Sequence, residues 1–209
     1  MDDGSRCLQV RDPNPVSRLA APAARILAIL CGWWLMGYAF LTAAEILGRK
    51  FLGRSFQGVD EIGGYTLAVV SALAFTWALV GRSHTRVDFL LGRLGSRSRA
   101  TLNAIAYVTL AAVAVLAATK GWSALAESIE FKSRSTTPLQ VPMWVPQSGW
   151  FAGLAFFAAV ASAMAIHAVY LLIRRHTDVN RLYGPLTVEE EIALETGPIA
   201  APQDKDAAG

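Results

Sequence analysis

Few residues in this sequence are both ionisable and set within or beside apolar stretches, and those few define the chemistry on offer. Glu45 lies near the end of the run Ile26 to Leu47, ILAILCGWWLMGYAFLTAAEIL; Asp60 and Glu61 open the next run, Ile62 to Gly81; His167 stands well inside another, Trp150 to Ile173. A carboxylate or imidazole is costly to hold in hydrocarbon, and where it occurs at depth it marks ion pathways or proton relays. Glu45 and Glu61 sit near helix ends, where water reaches, so both read as solvated interfacial anions, Glu45 paired with Arg49 or Arg54. His167 has no second helical histidine to face it, because His84 falls in a loop and His176 follows the last run. Axial ligation of a haem is therefore not provided for, and a hydrogen-bonded packing role is expected. Cys7 and Cys31 have no metal or redox spacing. With no H-E-x-x-H, G-x-S-x-G or Walker loop, the reading is a chain with no catalytic, substrate-binding or metal site and no cofactor of its own.

The elements that position these residues are four apolar runs, at about 26–47, 62–81, 101–119 and 150–173. The first has 22 residues, and at about 1.5 Å per residue it covers roughly 33 Å, enough to cross a bilayer core. It is also longer than the roughly 7–15 apolar residues of a signal peptide, so a retained span is expected. The chain is 209 residues long, 54% hydrophobic and 17% charged, with a positive mean hydropathy. That composition belongs to the membrane class. A net charge of +3, with no basic stripe interleaved with aromatics, speaks against nucleic acid. The expected fold is all-α: one integral membrane domain over 26–175 with four transmembrane helices, short interfacial helices, and cytoplasmic tails at 1–25 and 176–209.

Orientation follows from Gly81 to Arg99, GRSHTRVDFLLGRLGSRSR, where five arginines separate the second and third runs. Short loops rich in Lys and Arg stay in the cytoplasm. With this loop inside, thirteen of the nineteen Lys and Arg residues fall on the cytoplasmic side, and both termini lie there too. Arg49, Lys50 and Arg54 run against the bias. Asp88 is placed to cap a short interfacial helix, Phe89 to Leu94. From Lys120 a helical pattern continues through Trp122, Leu125 and Ile129, whereas Pro138, Pro142 and Pro146 forbid a continuous helix over 133–148. The N-terminal residues, with prolines 13, 15 and 22, read as a mobile tail. The C-terminal tail carries a brief helix announced by Thr187 and Glu190, and the polar end after Gly197-Pro198 reads as disordered.

Several motifs, taken in order, resemble the small membrane subunit, the DctQ-like small permease, of tripartite ATP-independent periplasmic (TRAP) transporters. They are Glu45 to Phe51, EILGRKF; Asp60-Glu61-Ile62; His84-Thr85-Arg86-Val87-Asp88, close to the family's H-I-R-V-D; and Pro138 to Trp144, PLQVPMW. The resemblance implies a non-catalytic scaffold in the bacterial inner membrane. Its partners would be a large permease subunit, a periplasmic solute-binding protein acting through the complex, and membrane lipids. The complex would import an organic acid by symport, with a sodium gradient used by the large subunit. Because the chain closes after its fourth span, a separate partner chain is expected. Glu61, His84, Arg86, Asp88, Pro142 and Trp144 are the candidate partner contacts; for Glu61, Arg86 and Asp88 topology and helix capping are an equal alternative. A self-sufficient four-helix carrier would need an acid deeper than Glu45, and an oxidoreductase anchor would need paired histidines or cysteines.

Overall fold

In hydrocarbon a chain must satisfy its own backbone N–H and C=O groups, so apolar runs of this length become helices. The computed structural model describes residues 14–53, 57–81, 95–174 and 176–183. Among them run five helices, α1 (Pro15–Leu52), α2 (Val59–Val80), α3 (Ser96–Glu130), α4 (Trp144–Arg174) and α5 (His176–Tyr183). The first four are long and apolar enough to cross a membrane, as expected. Three overrun the expected spans: α1 has 38 residues, α3 35 and α4 31. At about 1.5 Å per residue α1 is roughly 57 Å long against a hydrocarbon core of about 30 Å, so the helices must tilt or project beyond it.

The boundaries correct the sequence reading in three places. Residues 15–24 are helix, not tail, because Asn14 and Pro15 form a start signal: Asn14 Oδ1 accepts from the Ser17 amide at 2.7 Å, and Pro15 occupies the first helical position, where its missing N–H costs nothing. Pro22 is accommodated inside α1. Helix α4 begins at Trp144 instead of Trp150, since Pro146 falls in its first turn, where a missing donor is tolerated. Beyond the basic end of α4, α5 is ordered and folded back, with Val179 and Tyr183 fully buried. Its Val179, Leu182 and Tyr183 recur at helical spacing and join the core. The Thr187–Glu190 capping pattern and the 89–94 interfacial helix lie outside the described residues.

The helices run alternately up and down, with α4 packed against both α2 and α3, and α1 set mainly against α2. The core lies where α3, α4 and α5 meet and is largely alanine, from Ala100, Ala111 and Ala114 to Ala161 and Ala168. Small residues let helix backbones approach closely, which is how helices associate in lipid. Where α2 crosses α4, Gly149 and Gly153 on one face of α4 receive Val69 and Ala72; a Cβ on Gly153 would lie 2.9 Å from Ala72 Cβ and 3.0 Å from the Ala72 carbonyl carbon. Helix α1 is different. Its buried residues include Ser17, Ala24, Cys31 and Glu45, positions that share a seven-residue register, so a single narrow seam touches the bundle.

Gly153→Ala is expected to destabilise the bundle by about 1–3 kcal/mol, because backbone opposes the new methyl group. Gly32→Ala and Gly37→Ala, where nothing stands within 4 Å, should be neutral or slightly stabilising. Unfolding of the detergent-solubilised protein distinguishes them; equal stability of all three variants would refute the close crossing.

Candidate functional site

The site is built on the start of α2. Gly58, at φ +92°, precedes the helix in a left-handed conformation, and the Leu139 side chain occupies the space a Cβ would need. Leu139 belongs to the connection between α3 and α4, which is thereby pressed onto the N-terminus of α2. Asp60 and Glu61 lie in the first turn of α2, where the helix dipole favours acids.

Glu61 fastens this connection. Its Oε2 accepts from the Thr137 hydroxyl and its Oε1 from the Tyr65 hydroxyl at 2.5 Å. Ser135 Oγ stands 2.6 Å from Thr137 Oγ1 and accepts from the Thr137 amide at 3.2 Å. The connection holds its own shape: the Ser135 amide donates to Val141 O at 2.9 Å, Met143 to Ser133 O at 3.0 Å and Gln140 to Thr137 O at 3.0 Å. Pro138 takes the second position of that last turn, which it preorganises. Lys132 and Gln140 have φ of 49° and 46°, left-handed values that cost a side-chain-bearing residue about 1–2 kcal/mol each. The surrounding hydrogen bonds offset that strain.

Of the candidate contacts, the structure gathers Glu61, Pro142 and Trp144 at one end of the bundle. Pro142 pairs with Arg134 in an isolated antiparallel bridge, Met143 Sδ lies 3.6 Å from the Tyr65 hydroxyl, and Trp144 opens α4, half exposed. His84, Arg86 and Asp88 lie outside the described residues. Tyr65, Ser135 and Thr137 were missed by the sequence reading. Tyr65 was findable, four residues after Glu61 on one helix face, whereas Thr137 is 76 residues away and left no local signal.

Glu45, Arg49 and His167 are similarly engaged. Arg49 Nη2 and Nε donate to Glu45 Oε1 at 2.6 and 3.0 Å, the pair anticipated from spacing. Glu45, however, is only 4% exposed; it is a buried anion, not a solvated one, because it lies on the seam of α1. Two further bonds seat α1 on α2: Trp34 Nε1 donates to Thr66 Oγ1 at 3.0 Å and the Tyr38 hydroxyl to Val59 O at 3.3 Å. His167 Nδ1 shares a 2.6 Å hydrogen bond with the Tyr183 hydroxyl, the packing role expected of it. An open groove of about 420 Å³ between α1, α2 and the start of α4 is almost wholly apolar, with Leu30, Cys31, Val69 and Val145 in its wall.

Four helices long and apolar enough to cross a membrane, packed into one bundle, define a multi-pass membrane protein. Residues 38–174 match the family described as tripartite ATP-independent periplasmic transporters, DctQ component. The chain belongs to that family: it is the small subunit of a TRAP transporter and a multi-pass protein of the inner membrane. Neither the curated proteins nor the solved structures yielded a match.

Removing the carboxylate should loosen the α3–α4 connection. In Glu61→Ala, and more mildly in Thr137→Val, hydrogen exchange at the Ser135 and Gln140 amides is expected to quicken while the α2–α4 crossing stays protected. Unchanged exchange at both amides in Glu61→Ala would show that Glu61 does not fasten the connection.

Proposed function

We propose that this subunit is a non-catalytic brace for a large permease, within a complex that imports an organic acid by ion-gradient-driven symport. A periplasmic binding protein delivers the solute, and the large subunit holds both the solute and the coupling ion, most simply sodium. The observation that carries this reading is that the three ionisable residues singled out in or beside the spans each have a protein partner: Glu45 with Arg49, Glu61 with Thr137 and Tyr65, His167 with Tyr183. A carrier needs a polar site that empties and refills, and hydrogen-bonded fasteners do not offer one. The subunit needs no cofactor on this reading.

The partner-facing residues proposed are Glu61, Pro142 and Trp144 at the α3–α4 connection and His84, Arg86 and Asp88 between α2 and α3. Both chain termini are placed in the cytoplasm by the charge bias, with the Glu61 end outward.

Two experiments test this. In proteoliposomes with an inward sodium gradient, the complex of both membrane subunits and the binding protein should accumulate a labelled carboxylate, and the small subunit alone should not; accumulation by the small subunit alone would overturn the brace. Reporter fusions after Arg99 and after Arg175 should score cytoplasmic and a fusion at Ser135 periplasmic. The opposite pattern would invert the orientation.

A further inference from the structure

Beside the Glu61 network, the α3–α4 connection forms a second feature that the accessory role does not use: an open groove of about 400 Å³ lined by Ile129, Lys132, Ser133, Arg134, Pro142 and Trp144. We propose that this groove holds the headgroup of an anionic phospholipid. Its volume suits a small ligand, and both of its charged walls are cations.

Three observations favour a lipid anion. Lys132 and Arg134 are exposed, and neither forms an ion pair with another described residue. Their backbones are nevertheless fixed, Lys132 by its left-handed turn at the end of α3 and Arg134 by its bridge to Pro142. The groove lies between the C-terminal end of α3 and the start of α4, whose opposed dipole ends offset one another, so its positive charge comes from the two side chains. Its apolar lining residues are exposed, Ile129 by 53% and Trp144 by 48%. Exposed apolar and aromatic residues around cations, at the end of two spanning helices, describe the membrane–water interface, where Trp and long basic side chains settle against headgroups. An acidic protein surface would satisfy the cations but leave those apolar residues in water. Glu127 and Glu130, at the exposed end of α3, do not line the groove.

The site can be tested on the full-length chain, purified in mild detergent and exchanged with phosphatidylglycerol or with zwitterionic phosphatidylethanolamine, bound lipid being counted by native mass spectrometry. Lys132→Gln combined with Arg134→Gln should lower phosphatidylglycerol retention roughly tenfold or more and leave phosphatidylethanolamine retention unchanged. Trp144→Ala should lower both, and Lys120→Gln, a cation elsewhere on α3, neither. Each single charge variant should give an intermediate loss, so the result does not depend on the double variant folding. Phosphatidylglycerol retention unaltered by the double variant, or lowered equally by Lys120→Gln, would overturn the proposal. So would displacement of the lipid by equimolar inorganic phosphate, which would mark a simple anion site. Normal lipid retention together with lost capture of the soluble binding protein by the assembled complex would instead mark a protein-docking face.

Discussion

Lipid is as apolar as the side chains it surrounds, so helices in a membrane gain little by burying leucines against each other. What distinguishes protein contact from lipid contact is closeness, together with the few polar bonds that lipid cannot make. The bundle follows this constraint. Alanine fills the joint between α3 and α4, Gly149 and Gly153 bring α4 onto α2, and the bulky side chains, Trp33, Phe40 and Leu116 among them, are left on the exposed surface. Helix α1 touches the others along one seam and leaves small residues such as Gly32 and Gly37 outside it. Between α2, α3 and α4 the arrangement thus follows the small residues more than the large apolar ones.

Polar bonds then act where close packing alone would permit sliding. At one end Glu61 ties α2 to the α3–α4 connection through Thr137. At the other, Asn180 of α5 donates to Ser96 O at 2.8 Å and accepts from Asn103 at 3.2 Å, while Tyr183 bonds His167 and stacks edge-on against Tyr107 with ring centroids 4.8 Å apart. Both sets of bonds join elements far apart in sequence. Along α1, the Trp34–Thr66 and Tyr38–Val59 bonds serve the same end, and the buried Glu45 anion is tolerated because Arg49 neutralises it within one helical turn.

The number of spanning helices was legible because length and hydropathy report membrane crossing directly. Their contact faces were not. A helix that is apolar all round has no amphipathic contrast to show which side meets protein, and the seam of α1 is written in Ser17, Ala24, Cys31 and Glu45, a serine, an alanine, a thiol and an acid that share no hydropathy signal. Helix ends were misjudged wherever proline was taken only as a breaker: Pro15 and Pro146 both lie in first turns, where proline starts helices. Glu61 was singled out by its place in a motif, but its partners come from a distant loop, and only the folded chain brings them to it. Likewise His167 was recognised as a packing residue while its partner Tyr183 stood in what read as tail.

The length of the helices gives the end bonds their mechanical meaning. Helices α4 and α3, of 31 and 35 residues, pack along much of their length through small side chains with a few large ones such as Trp122 and Phe151, and a shift of one residue is about 1.5 Å. The same shift between α2 and the α3–α4 connection would separate Thr137 from Glu61 and drive Leu139 off Gly58. At the far end it would pull Asn180 from Ser96. Sliding is thus opposed by directional bonds at the places where it would displace atoms most, and tilting of α2 against α4 is opposed at their crossing by the contact at Gly153. Both kinds of contact oppose relative motion of the helices. Such bracing is what the proposed role beside a moving permease would require, and Glu45, Glu61 and His167 contribute to it by holding the structure together.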